Sequence, residues 1–132
     1  MSIQSLPQMK QGMSIPMHEY PITVRIIEIA EEYAKKNHGD KVEQINLVVG
    51  DYSGYVASSI ELYFDIIAKD SLCEHARLNI ERVVPQLKCN DCGQLFVRKP
   101  FSFECPECKG EGSPTEIGKE FYIKSIEIRK ES

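Results

Sequence analysis

Four cysteines stand in two C-x-x-C pairs, Cys89/Cys92 and Cys105/Cys108, with twelve residues between the pairs. Two thiolates spaced i, i+3 in a tight turn converge on one ion. Two such turns supply four sulfurs at ~2.3 Å in a tetrahedron, which suits zinc. Gly93 follows the first pair directly, and Gly110 comes two residues after the second. Both glycines are expected to take positive φ, so that backbone N–H groups approach the sulfurs. Four thiolates leave no position for a substrate water, so the expected role is structural, not catalytic. A rubredoxin-like iron site is the rival metal reading. A redox C-x-x-C uses only one pair and leaves the other unexplained. The fifth cysteine, Cys73, is expected to be a buried structural residue.

A second constellation is Met17-His18-Glu19-Tyr20-Pro21. Read blandly, it is an exposed histidine beside a glutamate that suits a helix N-terminus. Read for chemistry, it depends on where the chain starts. If Met17 is the first residue, its amine, the His18 backbone nitrogen and the His18 imidazole close adjacent five- and six-membered chelate rings. Square-planar nitrogen and oxygen donors suit Ni(II) or Cu(II). Glu19 would add an oxygen or fix the ring. The donors must be deprotonated, so affinity should fall with acid.

These groups need elements to position them. A helix should begin near Pro21, with Ile22, Ile26, Ile29, Ala30 and Tyr33 on its buried face and a stop at Asn37–Gly39. A strand follows, in which Ile45, Leu47 and Val49 alternate with Gln44, Asn46 and Val48 up to Gly50. Ser58 and Glu61 have capping-box spacing, so a second helix should start there and bury Ile60, Tyr63, Phe64 and Ile67. Further strands are expected near 76–84 and 120–129. The last changes parity between Phe121/Ile123 and Ile126/Ile128, which a bulge or burial on both faces would explain. The fold class is therefore α+β: a three-stranded sheet with two helices on one face, plus an inserted four-cysteine zinc ribbon. Residues 1–16 read as a flexible extension or a misassigned start. Residues 17–85 and 118–132 form the α+β domain, and residues 86–117 form the ribbon, tied down at both ends of its base.

Composition narrows the function classes. The chain has 132 residues, 20 acidic and 16 basic side chains, and a net charge of −4. That balance argues against a general polyanion binder. No apolar run approaches the ~18 residues of a membrane span. Five cysteines without a signal-like N-terminus argue for a reducing, cytoplasmic setting rather than a disulfide framework.

Taken together, the chain resembles the HypA/HybF family of hydrogenase-maturation nickel metallochaperones, over about Met17 to Glu131. The resemblance rests on Met17-His18-Glu19 before a helix, the strand ending at Gly50, the double C-x-x-C insert and the last strand, Gly118–Glu127. It implies that His18 is the principal nickel ligand, Glu19 an auxiliary one and Met17 the amine donor. It implies that Cys89, Cys92, Cys105 and Cys108 hold structural Zn(II), while Ni(II) is bound transiently. The implied partners are a HypB-type GTPase and the large subunit of a [NiFe] hydrogenase, and some relatives serve urease maturation. The implied protein is a carrier and not an enzyme. Two departures stand out. Relatives usually begin at the motif methionine, whereas sixteen residues precede it here. A start at Met17, processing, or an altered site are the three readings. Some relatives also place an acidic residue in the loop after the first strand, near the position of Val56 here.

Two other classes compete. A zinc-ribbon nucleic-acid or protein-binding module would use Lys88, Arg98, Lys99 and Lys109 with Phe96, Phe101 and Phe103. Rubredoxin-like electron transfer would use iron in the four-sulfur site. His38 and His75 have no local companions for a second metal site.

Overall fold

The structure is a computed structural model and describes residues 18–131. Residues 1–16 and the expected ligand Met17 lie outside the described residues. The elements are α1 (Glu19–Lys36), β1 (Lys41–Gly50), α2 (Ala57–Ile67), β2 (Arg77–Val83), β3 (Leu87–Cys89), β4 (Leu95–Phe96), β5 (Gly112–Pro114) and β6 (Phe121–Arg129). They form an α+β fold with two three-stranded sheets, ordered β2-β1-β6 and β4-β3-β5. The second sheet carries the four-cysteine ribbon. Among the described residues, no helix is long and apolar enough to cross a membrane.

The first helix starts two residues before Pro21. The proline sits in the first turn, where a missing N–H breaks no helical bond. Its buried residues include Ile22, Thr23, Ile26, Ile27, Ala30 and Ala34, together with Glu19. The expected face is thus rotated: Ile29 is only half-buried and Tyr33 is exposed. Thr23 is tolerated inside because its hydroxyl donates to the Glu19 carbonyl at 2.5 Å. The helix closes through the Gly39 N–H on the Ala34 carbonyl at 2.7 Å, with His38 at φ +61°.

The second helix lacks the expected capping box. Val56, extended at φ −97° and ψ 114°, is the N-cap and makes no side-chain cap bond, so Ser58 lies inside the helix. Ile60 and Phe64 are buried, and Ala68 follows them, while Tyr63 and Ile67 are half-buried. Each fully buried Ile or Leu side chain contributes about 1.5–3 kcal/mol.

In β1, Ile45 and Leu47 are buried. Asn46, of opposite parity, donates to Ser125 Oγ at 2.8 Å and accepts from Asn79 Nδ2 at 3.2 Å in an exposed polar network. Up to Leu47 one face of the strand is core and the other wet, and from Val48 on both parities are buried. In β6, Lys124 and Ser125 are both exposed, and the exposure phase slips by one there. Every residue of β6 is half-buried or exposed, so the strand is not buried on both faces.

The chain divides into two compact units. Among the described residues, one comprises residues 18–47, 55–81 and 123–131, and the other residues 48–54 and 82–122. Within the second unit, Thr115 Oγ1 donates to the Gln86 carbonyl at 2.7 Å, and Tyr52 N–H donates to the Gly118 carbonyl at 2.6 Å. The base of the ribbon is thereby closed across its two strands.

Candidate metal centres

The four sulfurs converge as their spacing requires. The Sγ atoms of Cys89, Cys92, Cys105 and Cys108 all lie within 4.8 Å of one another. Two cross-pair separations are 3.4 Å for Cys89–Cys108 and 3.7 Å for Cys92–Cys105. A tetrahedron with bonds of ~2.3 Å has edges of about 3.8 Å, so the donor set fits a single thiophilic ion.

Each pair sits in the same kind of turn. The Gly93 N–H returns to the Cys89 carbonyl at 3.1 Å, and the Lys109 N–H returns to the Cys105 carbonyl at 3.0 Å. Both fourth-following residues have positive φ, +79° at Gly93 and +68° at Lys109. The expectation for Gly110 is therefore corrected: Lys109 takes the left-handed position. Gly110 serves close approach instead, because a Cβ there would strike the Asp91 carboxylate and meet Cys89 Sγ at 3.1 Å. Backbone N–H groups of Asp91 and Cys92 approach Cys89 Sγ at 3.4 Å, and that of Glu107 approaches Cys105 Sγ at 3.4 Å. Such donors spread the thiolate charge.

The electrostatics separate the sulfurs. The Cys92 N–H, then that of Asp91, lowers the Cys89 thiol to about 7 against its desolvation. The Gly110 N–H favours the Cys108 thiolate, yet the adjacent Cys89, Cys92 and Cys105 thiols outweigh it and push Cys108 up to about 12. Four neighbouring thiolates need a cation among them, so metal uptake releases protons. Cys73 is fully buried, and its thiol is pushed up to about 12 by burial first and Glu31 second.

The second candidate site, expected from His18 and Glu19, lies at the head of α1. Glu19 is fully buried, and its Oε2 accepts the Val56 N–H at 2.7 Å. The same oxygen lies 3.3 Å from His18 Nε2, while the His18 side chain remains 37% exposed. Oε1 is buried with no hydrogen-bond partner among the described residues. The Tyr55 ring stands 5.4 Å from the imidazole, tilted by 54°. Burial first, and the Glu19 carboxylate second, push the Tyr55 phenol up.

The structure thus brings His18 and Glu19 together and adds two groups that sequence reasoning missed: the Val56 amide and the Tyr55 ring. The Val56 position was singled out for the side chain it lacks, whereas its backbone is what contacts Glu19. No spacing signal links Glu19 to residues 37 positions away.

Comparisons with known proteins agree on one family. Residues 17–128 match the family model described as hydrogenase/urease nickel incorporation, metallochaperone, HypA. The hydrogenase maturation factor HypA of Caldanaerobacter subterraneus subsp. tengcongensis is 39% identical over 113 residues, covering 85% of this chain and 99% of the relative. That of Dehalococcoides mccartyi is 34% identical over 116 residues, covering 88% and 98%. The solution structure of the Ni metallochaperone HypA from Helicobacter pylori is similar with a TM-score of 0.57 at 29% identity. It covers 86% of this chain and 98% of that one.

Proposed function

The chain belongs to the HypA family of nickel-incorporation metallochaperones, and from that premise we propose that it carries Ni(II) as cargo for [NiFe] hydrogenase maturation. The observation that carries the nickel reading is the buried Glu19 carboxylate. Oε2 faces His18 Nε2 and the Val56 N–H, while Oε1 has no partner among the described residues.

That arrangement supports a particular imidazole tautomer. A carboxylate beside Nε2 favours a proton there, which leaves the lone pair on Nδ1 for a metal. Nδ1 is also the nitrogen that closes a six-membered ring with the His18 amide nitrogen. In a chain that begins at Met17, the amine closes the adjacent five-membered ring. Planar nitrogen donors of this kind suit Ni(II). A buried carboxylate oxygen left unpaired is costly, and a cation held beside His18 offsets that cost. Glu19 is then an auxiliary group that fixes the ring and balances charge.

The ribbon cysteines would hold resident Zn(II), which supplies folding free energy and no reaction site. The contrast in donors suits the two roles. Four soft thiolates retain their ion, whereas a few nitrogen and oxygen donors exchange theirs. The protein would act as a carrier rather than an enzyme, in a reducing cytoplasm. Its partners would be a HypB-type GTPase and the hydrogenase large subunit, with urease maturation as a second destination.

The test is a nickel titration of zinc-loaded protein, for the full chain and for a chain beginning at Met17, each with His18→Ala. The expected result is one nickel per chain beginning at Met17, lost in His18→Ala with zinc retained. Nickel binding unchanged by His18→Ala would overturn the assignment.

A further inference from the structure

The second unit contains a cavity of about 230 Å³ that neither metal centre uses. Its walls include Leu87, Ile117, Tyr52 and Phe103. Arg98 and Lys119 also line it, and no acidic side chain does. In a chain of net charge −4, both charged side chains of the lining are cations, although Lys119 also pairs with Glu116 outside it. We infer that this cavity is an anchor site for an acidic, apolar segment of a partner protein.

Size decides between a small molecule and a side chain. Small-molecule pockets run to about 300–1,000 Å³. A volume of about 230 Å³ is below that range and suits one or two large apolar side chains. The lining has the makeup of an interface hot spot, which is enriched in Tyr and Arg around a desolvated pocket. Phe101 is 99% exposed, two residues along the chain from Phe103.

The cations are available for a carboxylate. The Arg98 guanidinium lies 4.6 Å above the Phe103 ring centroid. Its Nε donates to the Ser102 carbonyl at 3.1 Å. That contact fixes the fork while using one of its five donors. Lys119 is 3.2 Å from the exposed Glu116. An exposed pair of that kind is worth about 0–1 kcal/mol, so a partner carboxylate can displace it.

The test is an amide NMR titration of the zinc-loaded full chain with two peptides, acetyl-Asp-Leu-Phe-Glu-amide and acetyl-Lys-Leu-Phe-Lys-amide. The acidic peptide should produce saturable shifts at Arg98, Phe103 and Ile117. It should bind at least ten times more tightly than the lysine peptide at low salt. The double variant R98E/K119E should reverse that preference while keeping its zinc and its dispersed spectrum. Absence of saturable shifts, equal binding of the two peptides, or a preference unmoved by R98E/K119E would overturn the proposal. Saturable binding of an octathymidylate at these residues in place of the acidic peptide would overturn it too, in favour of a phosphate-bearing partner.

Discussion

Replacing Glu19 by glutamine or by alanine separates its contribution to stability from its contribution to nickel binding. In the folded chain, one oxygen serves both the Val56 N–H at 2.7 Å and His18 Nε2 at 3.3 Å. Glutamine can keep an oxygen at that position and place its amide nitrogen where Oε1 stood. It retains the Val56 bond and removes the buried charge, but loses the charge assistance and puts amide N–H donors where the unpaired oxygen stood. These effects oppose one another at about 1 kcal/mol each, so Glu19→Gln should unfold close to the parent. Alanine leaves the part-buried Val56 N–H without its acceptor, at about 1–3 kcal/mol. For a chain of this length, that is a fall of roughly 4–12 °C in Tm.

Nickel should respond differently. A carboxylate partner of a ligating histidine is worth roughly 10–100-fold in metal affinity. Glu19→Gln should therefore weaken nickel by about tenfold at nearly unchanged Tm, and Glu19→Ala should weaken both. The assays are calorimetric nickel titration and thermal circular dichroism on zinc-loaded protein. Parental nickel affinity in Glu19→Gln would refute the charge argument. A Tm loss equal to that of Glu19→Ala would refute the hydrogen-bond argument.

Other outcomes follow from the remaining geometry. Cys89→Ala should bind less than one tight zinc and lose amide dispersion over residues 87–114, because structural zinc contributes about 10–16 kcal/mol of apparent binding free energy; a dispersed ribbon spectrum without metal would refute this. Gly93 has φ +79° and open space around its missing Cβ, so Gly93→Ala should cost about 1–2 kcal/mol of strain. Gly110→Ala should instead lower zinc affinity in a chelator competition, since its Cβ meets the Asp91 carboxylate and Cys89 Sγ. Cys73, raised to about 12 in the folded state from 9.0, gives stability that is full below pH 9 and lost as pH rises toward 12. Cys73→Ala should flatten that part of the pH–stability curve, read by urea unfolding, and the parental thiol should resist alkylation at pH 8 until the protein unfolds.

Legibility in the sequence followed the range of the interactions. The i, i+3 cysteine turns are local, and their convergence was readable from spacing alone. The Ile45–Leu47 alternation was readable for the same reason. The face of α1 was not, because Ile27 and Ile29 offer two competing apolar stripes. The buried polar groups on the true face, Glu19 and Thr23, have backbone partners that no side-chain periodicity reports. The capping box failed in a related way. Ser58 and Glu61 have the right spacing, but the chain enters α2 at Val56, whose N–H is held by Glu19. Assigning positive φ to Gly110 failed because glycine marks two needs, left-handed backbone and close approach. Here the residue before it, Lys109, takes the first.

The two centres differ in how much folded chain each requires. The sulfur site is assembled by two short turns whose own N–H groups reach the sulfurs, and three paired strands hold those turns together. The His18 centre has no such local frame. Its imidazole is ordered by a carboxylate that is itself held by a loop 37 residues on, and by the Tyr55 ring of that loop. A half-exposed imidazole can change ligands without unfolding anything. A set of four thiolates cannot lose its ion without leaving four like charges in contact. On the proposed reading, retention at the sulfur site and exchange at His18 would follow from the donors and their supports.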